Sequence, residues 1–223
     1  MLVSDDASKD RTTELAGKWA VEHGDGRTLV RRQARNLGYG GNQKAVFAWA
    51  AEEGADIAVL LHGDEQYPPE MIEALVRPIV SGEASAVFGS RMIIRGGARE
   101  GGMPMARFVA NKALSRLLNV LTPGDLSEWF SGFRAYRVPM LAEIGWDGLP
   151  DGFDFDTAIT IRLLEGGHPI AEIPIPTHYG DELSRVPLLR TGLATIRHGA
   201  AALRGRGGAP GRTDRPGAPS GTW

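Results

Sequence analysis

The most informative stretch of the sequence is His62-Gly63-Asp64-Glu65-Gln66-Tyr67-Pro68-Pro69-Glu70, which follows the short apolar segment Ile57 to Leu61. An apolar segment of this length between polar residues is typical of a strand buried on both faces of a parallel sheet. If the chain stays extended after the strand, Asp64 and Gln66 project to the same side, because side chains alternate along extended backbone. Pro69 favours the first turn of a helix, so the sequence predicts a strand, a polar loop and a helix in succession.

The position of Asp64 and Gln66 is typical of a ligand site. Open α/β sheets bind ligands at the carboxyl ends of their strands. Oxygen donors at that edge suit Mg²⁺ or Mn²⁺ shared with a diphosphate. A polar strand-to-helix turn with an ordinary helix cap would show the same spacing, so the motif by itself leaves both interpretations open.

The composition is that of a soluble globular protein with room for one large α/β domain or two small ones. Of 223 residues, 42% are hydrophobic and 23% are charged, and the net charge of −2 gives no general attraction for nucleic acid. The absence of cysteine excludes disulfides, thiolate zinc sites and a cysteine nucleophile, and it fits a reducing cytosol. No apolar run approaches the roughly 20 residues that a membrane span needs, and the first residues do not resemble a signal peptide.

The hydrophobic pattern alternates between strands and helices in the first half and is mainly helical in the second, which argues for an α/β fold with a parallel sheet. Predicted strands cover residues 1–3, 28–32, 57–61, 84–89 and 170–175, and predicted helices cover 11–22, the Ala-rich segment that ends near 54, 71–80, 104–121, 140–144, 153–165 and 187–204. The Gly- and Arg-rich segment 94–102 predicts a mobile loop. We expect one domain over residues 1–204 and a disordered tail over 205–223.

Further charged residues lie where strands or helices are predicted to begin or end. Asp5 and Asp6 follow the first strand, where a carboxylate can accept hydrogen bonds from a uracil or guanine ring, although a solvated turn also explains the pair. Arg91 follows the strand 84–89, where a guanidinium can bind a phosphate with two hydrogen bonds, although a surface arginine would look the same. Asp156 stands at a helix start, where acids usually complement the helix dipole.

The glycine cluster Gly38-Tyr39-Gly40-Gly41 does not fit a nucleotide-binding loop of the common kinds. It lacks the third glycine of the dinucleotide fingerprint, and the chain has no phosphate-binding loop that ends in Gly-Lys-Ser or Gly-Lys-Thr. Both observations argue against a dehydrogenase and against an NTPase.

Several short motifs occur in a fixed order along the chain. They are Val3-Ser4-Asp5-Asp6-Ala7-Ser8-Lys9-Asp10-Arg11-Thr12, Asn36-Leu37-Gly38-Tyr39-Gly40, Leu61 to Tyr67, Gly89-Ser90-Arg91, Gly101-Gly102-Met103-Pro104, Asn111-Lys112, Ser127-Glu128 to Arg137, Phe153 to Asp156, and Glu172-Ile173-Pro174 to Tyr179. With these motifs the chain resembles the glycosyltransferases of family 2, of the polyprenyl-phosphate type akin to dolichyl-phosphate mannose synthase. The resemblance covers about residues 2 to 186, and it is specific for the family but not for the sugar.

The resemblance implies a GT-A-like fold, a mostly parallel nucleotide-binding sheet flanked by helices, with a helical region that faces the acceptor or a membrane. It implies a metal-dependent, inverting transfer of a hexose from a UDP- or GDP-linked sugar, with Mg²⁺ or Mn²⁺ as cofactor. The acceptor would be a lipid phosphate, polyprenyl or dolichyl phosphate, or a glycan. The implied roles are metal binding by Asp64 and Gln66, nucleotide-sugar binding by Asp5, Asp6, Asp64 and Arg91, and catalysis at the acceptor side by Glu128, Asp156 and Arg134.

Two of these implications depend on chemistry that the sequence does not settle. His62 stands where many family members have an Asp, which would leave the metal one carboxylate short. A lipid phosphate acceptor already carries an anionic oxygen and needs no general base, whereas a hydroxyl acceptor needs one, and Glu128 or Asp156 are the candidates. An interface salt bridge is the competing interpretation of Glu128.

The second half also bears on location. The basic helices predicted over 104–121 and 187–204 fit a cytoplasmic protein that rests on an anionic membrane surface. Docking to a partner and ordinary core packing are alternatives for both helices.

The main departure from the family is at the front, where members have a strand and a loop before the Asp5-Asp6 motif. Loss of a central parallel strand would expose two ladder edges, so we expect this 223-residue form to be poorly soluble or inactive by itself. A non-catalytic homologue that binds a nucleotide sugar or a partner is the main alternative. A phosphorelay receiver would be shorter than this chain, and a nucleotidyltransferase would need a Gly-rich loop with a Lys near its start.

Overall fold

The chain folds as alternating strands and helices, as its hydrophobic pattern predicts. The structure, a computed structural model, describes residues 1–23, 26–176 and 188–207. The strands are β1 (Leu2–Asp5), β2 (Leu29–Arg32), β3 (Ile57–Leu60), β4 (Ala86–Ser90), β5 (Arg134–Arg137) and β6 (Ile170–Pro174). The helices are α1 (Thr12–His23), α2 (Tyr39–Glu52), α3 (Ile72–Val80), α4 (Gly97–Glu100), α5 (Met105–Leu121), α6 (Val138–Ile144), α7 (Phe155–Glu165) and α8 (Leu188–Gly207), with short 3₁₀ turns at Pro69–Met71 and Trp146–Gly148.

The larger sheet has the strand order β3-β5-β4-β6. β5 runs antiparallel to both β3 and β4, and β6 runs parallel to β4, so β3, β4 and β6 share one direction. Helices cover both faces, which is the predicted α/β architecture. Along β4, Ala86 and Phe88 pack into the core beneath α2, α6 and α7, whereas Val87 packs into the core beneath α3. This alternation fixes the register of the sheet, because a shift by one residue would exchange the two faces.

Two predictions about this sheet were wrong. β3 was predicted to be buried on both faces of a parallel sheet, but its ladder partner in the described chain is the antiparallel β5, and its residues alternate between buried and half-buried. β5 was not predicted at all, because Arg134 and Tyr136 do not form an apolar run. Both side chains are fully buried there, and hydrogen bonds satisfy the guanidinium of Arg134.

The predictions for the segment 94–102 and for the C-terminal tail also need correction. The segment 94–102 was predicted to be a mobile loop, but it contains the short helix α4. Residues 205–207 were assigned to a disordered tail, but they continue α8. The rest of that tail, 208–223, and residues 177–187 of the last motif region lie outside the described residues.

A second, smaller sheet stands apart from the first. β1 and β2 pair in parallel, from Leu2 opposite Leu29 to Asp5 opposite Arg32. Helix α1 packs on both strands but buries none of its own residues, and its Leu15 and Trp19 remain 53% and 48% exposed. Helix α2 contacts both β1 and β3, yet each of these strands has one ladder partner among the described residues.

None of the helices in the described parts of the chain is long and apolar enough to cross a bilayer.

Candidate functional site

The two carboxylates at the end of β1 are both engaged in local hydrogen bonds. Asp5 is 4% exposed and accepts hydrogen bonds from the N–H of Ser8 at 3.0 Å and from the hydroxyl of Thr13, and its carboxylate lies 3.8 Å from Arg32. Burial is the largest influence and acts against ionisation, but these hydrogen bonds and Arg32 outweigh it, so the pKa of Asp5 is lowered. Asp5 therefore organises its own turn.

Asp6 holds the loop that leads into α2. Its carboxylate accepts the N–H groups of Leu37 at 2.6 Å and Gly38 at 3.0 Å, and the side chain of Asn36 donates to its carbonyl oxygen. The next residue, Ala7, has φ of 59°, a left-handed conformation that is uncommon outside glycine. The motif after β1 and the Asn36-Leu37-Gly38 motif are thus one structural unit.

The loop after β3 turns sharply where an extended chain was expected. Glu65 has φ of 60°, and the N–H of Gln66 donates to the carboxylate of Asp64 at 3.2 Å. Backbone in this conformation costs free energy and is concentrated at functional loops. The side chains of Asp64 and Gln66 are half-buried, whereas Glu65 between them is exposed.

The donor set of this loop fits a divalent cation that is shared with a diphosphate. Asp64 supplies a carboxylate and Gln66 an amide oxygen, both oxygen donors of the kind that Mg²⁺ and Mn²⁺ bind. Within residues 1–23, 26–176 and 188–207, no group of three or more His, Cys, Asp or Glu side chains is arranged to hold a metal ion. A site here would follow the common pattern in which one carboxylate and the substrate phosphates share the cation.

A chain of polar groups connects this loop to α2 and α7. The hydroxyl of Tyr39 donates to Asp156 at 2.7 Å and lies 3.3 Å from Nε2 of His62. Gln43 also reaches Asp156, at 3.4 Å. Burial and the carboxylate of Asp156 raise the pKa of Tyr39 well above its ordinary value, so the hydroxyl stays a hydrogen-bond donor.

Arg91 and Glu128 form a buried ion pair between β4 and the loop before β5. They are 7% and 1% exposed, and Glu128 accepts the N–H of Arg91 at 2.8 Å as well as its Nε at 2.8 Å. Asn111 of α5 donates to the same carboxylate at 2.8 Å. This geometry is that of a buried salt bridge between two parts of the chain, whereas a catalytic base was the other interpretation of Glu128.

Arg134 is enclosed within the protein. It is 0% exposed, donates to the carbonyl oxygens of Ser131 at 2.6 Å and Trp129 at 2.8 Å, and lies 4.2 Å from the centre of the Phe88 ring. Burial opposes its charge, but the carboxylate of Asp156, 3.9 Å away, keeps the pKa of Arg134 above its ordinary value. Its contacts fix the loop 129–131 and the start of α7.

Glu172 of β6 anchors the loop that carries Glu128. Its carboxylate accepts the N–H of Ser127 at 2.7 Å, the hydroxyl of Ser127 at 2.8 Å and the N–H of Glu128 at 3.1 Å. Burial raises the pKa of Glu172, although these hydrogen bonds oppose the shift. Sequence reasoning gave no role to Glu172, Tyr39 or Asn111, because their partners are distant along the chain.

Beside this ion pair lies a cavity of about 600 Å³ between the end of β4 and helix α5. Its lining combines cations with apolar groups: Arg95, Lys112 and Arg116 on one hand, and Met92, Ile93, Ile94, Phe108 and Leu126 on the other. The polar residues Asp125, Ser127, Asn119 and Ser115 also line it. Such a lining suits a ligand with an anionic head and a hydrocarbon part.

The structure thus separates the predicted residues into two groups. Asp64 and Gln66 lie in the loop after β3, and Asp156, itself 8% exposed, is linked to His62 of that loop through Tyr39. Asp5, Arg91, Glu128 and Arg134 are buried and bind other parts of the protein, and Asp6 binds the loop before α2.

Comparison with known proteins gives concordant results. The family model for glycosyl transferase family 2 matches residues 1–145. The undecaprenyl-phosphate mannosyltransferase of Micrococcus luteus is 31% identical over 176 residues, which cover 78% of this chain and 70% of that protein.

Solved structures show the same fold. The mannosyl-3-phosphoglycerate synthase of Rubrobacter xylanophilus superimposes with a TM-score of 0.66 at 19% identity, covering 98% of this chain and 67% of that one. The glucosyl-3-phosphoglycerate synthase of Mycobacterium tuberculosis, solved with Mn²⁺ and UDP-glucose, gives a TM-score of 0.57 at 23% identity, covering 94% of this chain and 68% of that one. At these identities the likeness concerns the fold, which is that of GT-A glycosyltransferases.

Proposed function

The chain is a glycosyltransferase of family 2, and from that premise we propose that it transfers a hexose from a UDP- or GDP-linked sugar to polyprenyl phosphate, with inversion and with a divalent metal at Asp64. One observation carries the proposal. The loop after β3, which would hold the donor, contacts the 131–134 segment, which would border the acceptor. The N–H of Gly132 donates to the hydroxyl of Tyr67 at 3.1 Å, so the two loops meet where transfer would take place.

On the donor side, Asp64 and Gln66 are the residues that would hold Mg²⁺ or Mn²⁺. When bound, the cation supplies positive charge that stabilises the departing diphosphate. The left-handed turn at Glu65 presets the loop, and the hydrogen bond from Gln66 to Asp64 orients the carboxylate. Asp6 contributes by holding the loop before α2, and Asp5 by ordering the turn after β1.

The buried residues are assigned supporting roles. Arg91 and Glu128 bind each other and Asn111, so we infer that they position the end of β4 beside the donor. Arg134 holds the acceptor-side loop through carbonyl oxygens. For a hydroxyl acceptor, Asp156 is a better base candidate than Glu128. Asp156 is linked to the loop after β3 through the hydroxyl of Tyr39, which also contacts His62.

The acceptor assignment draws on the cavity beside α5. Its cations can bind a phosphate, and its apolar groups can contact the first isoprene units. A phosphate oxygen is already anionic, so transfer to it requires positioning but no base. The Micrococcus luteus relative, whose name specifies undecaprenyl phosphate, supports the same choice.

We further propose peripheral contact with the inner face of a membrane. Helix α5 exposes Met105, Val109 and Val120, which are 57%, 56% and 77% exposed. Exposed Lys112 and Arg116 lie on the same helix. A surface helix with apolar groups and cations binds the boundary of an anionic bilayer, which would bring the cavity close to a lipid acceptor.

A non-catalytic homologue is the second candidate, favoured by the mutual engagement of Arg91 and Glu128. The test is transfer itself. Purified chain, Mn²⁺, a polyprenyl phosphate and radiolabelled UDP- or GDP-hexoses should yield a labelled lipid with one of the donors. Asp64→Ala should abolish the product. The control is Asp147→Ala, which replaces an exposed acid outside the proposed site and should leave the yield of product unchanged. Metal-dependent nucleotide binding without any labelled product would instead support the non-catalytic homologue.

A further inference from the structure

The loop after β3 carries a third polar side chain on its half-buried side. His62, Asp64 and Gln66 are half-buried, whereas Leu61, Gly63 and Glu65 are exposed. The protein therefore partly covers these three side chains, although the left-handed turn at Glu65 keeps the loop from being extended. His62 is thus a half-buried polar side chain of the same short loop, two residues from Asp64 and four from Gln66.

The imidazole of His62 is held in place by three neighbours. Its Nε2 lies 3.3 Å from the hydroxyl of Tyr39, and its ring meets the Tyr67 ring edge-on at 5.6 Å between centroids. Gly132 closes the third side, because a Cβ at that residue would overlap Cε1 of the imidazole and stand 2.6 Å from Nε2. The Cε1–Nε2 edge is therefore packed against protein.

The hydrogen bonds determine which ring nitrogen is available. The hydroxyl of Tyr39 gives its proton to Asp156 at 2.7 Å, so toward His62 it can only accept. Nε2 must then carry the proton, and Nδ1 keeps a lone pair in the neutral ring. Among the described residues, Nδ1 has no hydrogen-bond partner. A histidine whose second nitrogen is fixed by a hydrogen bond is the usual arrangement of a metal-binding imidazole.

We propose that His62 is a ligand, through Nδ1, of the divalent metal at Asp64, and that this nitrogen shifts the preference of the site from Mg²⁺ toward Mn²⁺ and later first-row metals. The proposal rests on the proposed function, which places the metal at this loop. It also gives Tyr39 a task, because its hydroxyl orients the imidazole.

The metal preference follows from ligand chemistry. Mg²⁺ strongly favours oxygen ligands, whereas imidazole nitrogen is a good ligand for first-row transition metals. A site with one imidazole, one carboxylate and one amide oxygen loses more affinity for Mg²⁺ than for Mn²⁺, relative to a site with two carboxylates. Exchange of His62 for Asp should reverse this change.

Pulsed electron paramagnetic resonance of the Mn²⁺ complex tests the ligand directly. Full-length protein is loaded with Mn²⁺ and UDP, and in parallel with Mn²⁺ and GDP. We expect electron spin echo modulation from a coordinated ¹⁴N, which changes to the ¹⁵N pattern when the protein alone is ¹⁵N-labelled. The modulation should vanish in His62→Asp and persist in His23→Asn, the control at an exposed histidine of α1.

Binding measurements complete the test. His62→Asp should lower the ratio of Mn²⁺ to Mg²⁺ affinity several-fold, and Tyr39→Phe should weaken Mn²⁺ binding about 10-fold, the lower end for loss of an outer-shell partner. A Mn²⁺–nucleotide complex that is lost in Asp64→Ala but shows no protein nitrogen overturns the role of His62 and leaves the proposed function intact. Absence of any Mn²⁺–nucleotide complex in the wild-type protein overturns both.

Discussion

Two carboxylates at the end of β1 look alike in the sequence and differ in the structure. Asp5 points into the protein and organises the turn 5–13, whereas Asp6 reaches the loop before α2. A sequence shows only that two acids follow a strand. It does not show which backbone N–H groups the fold brings to each of them, so their separate tasks could not be predicted.

Asp5 makes a pH-dependent contribution to stability. Its pKa is lowered in the folded protein, so its contribution is present above the ordinary pKa of about 3.9 and is lost as the pH falls through the lowered value. We expect Asp5→Asn to reduce the free energy of unfolding at neutral pH. The difference from wild type should shrink in acid below about pH 4.

Urea denaturation across this pH range measures that difference, with Asp147→Asn at an exposed acid as the control. A deficit in Asp5→Asn that stays constant down to the acid limit would contradict this account of Asp5.

Substitution of Gly132 should affect metal binding more than it affects the stability of the fold. A methyl group there would displace the imidazole of His62, which is the movable end of a side chain. We expect Gly132→Ala to weaken Mn²⁺ binding in the presence of nucleotide about 10-fold, while the free energy of unfolding falls by no more than about 2 kcal/mol.

Gly63→Ala is the matched control, because a Cβ at Gly63 meets nothing within 4 Å. Titration calorimetry and chemical denaturation on both variants give the two quantities. Equal Mn²⁺ affinity in both variants would mean that contact between the two loops does not matter for the site.

Among the elements, most helices and most strands could be predicted from periodicity and from residues such as Pro69 that favour helix starts. β5 could not. Its Arg134 and Tyr136 are polar by type, and their burial depends on carbonyl oxygens and Asp156 contributed by other elements. Helix α4 was also missed, because its Gly- and Arg-rich sequence resembles that of a loop.

The two arginines of β5 offer a sharp contrast. Arg134→Met leaves the carbonyl oxygens of Ser131 and Trp129 and the carboxylate of Asp156 without their cation. We expect a loss of about 3–5 kcal/mol in the free energy of unfolding, the usual cost of breaking a buried pair. Arg137→Met, at the exposed end of the same strand, should change stability by less than about 0.5 kcal/mol.

Denaturation of both variants in parallel decides this point. Similar losses in the two variants would show that the burial of Arg134 is not what stabilises β5.

At the scale of the whole molecule, the sheet is divided. The four-stranded part has helices on both faces, whereas β1, β2 and α1 form a thinner unit with exposed apolar side chains. β1 and β3 each leave an edge without a ladder partner in the described chain, and unpaired edges of this kind favour association between molecules. The poor solubility expected from the sequence of this 223-residue chain remains a prediction.

The division has a consequence for dynamics. A two-stranded sheet is marginal by itself, and local opening is easiest where little apolar surface is buried. We expect the amides of β1, α1 and β2 to exchange with deuterium faster than those of β4 and β5. Hydrogen-exchange mass spectrometry measures both in one sample, and equal protection across the two units would contradict the division.

The central claim is that Asp64 forms the metal-dependent donor site of a family 2 glycosyltransferase. Isothermal titration of the chain with UDP and with GDP, each with and without Mn²⁺, tests it most directly, with Asp64→Ala alongside. We expect that one nucleotide binds only with Mn²⁺ and that Asp64→Ala abolishes this binding. A folded chain that binds nucleotide equally well without metal, or that retains metal-dependent binding in Asp64→Ala, would contradict it.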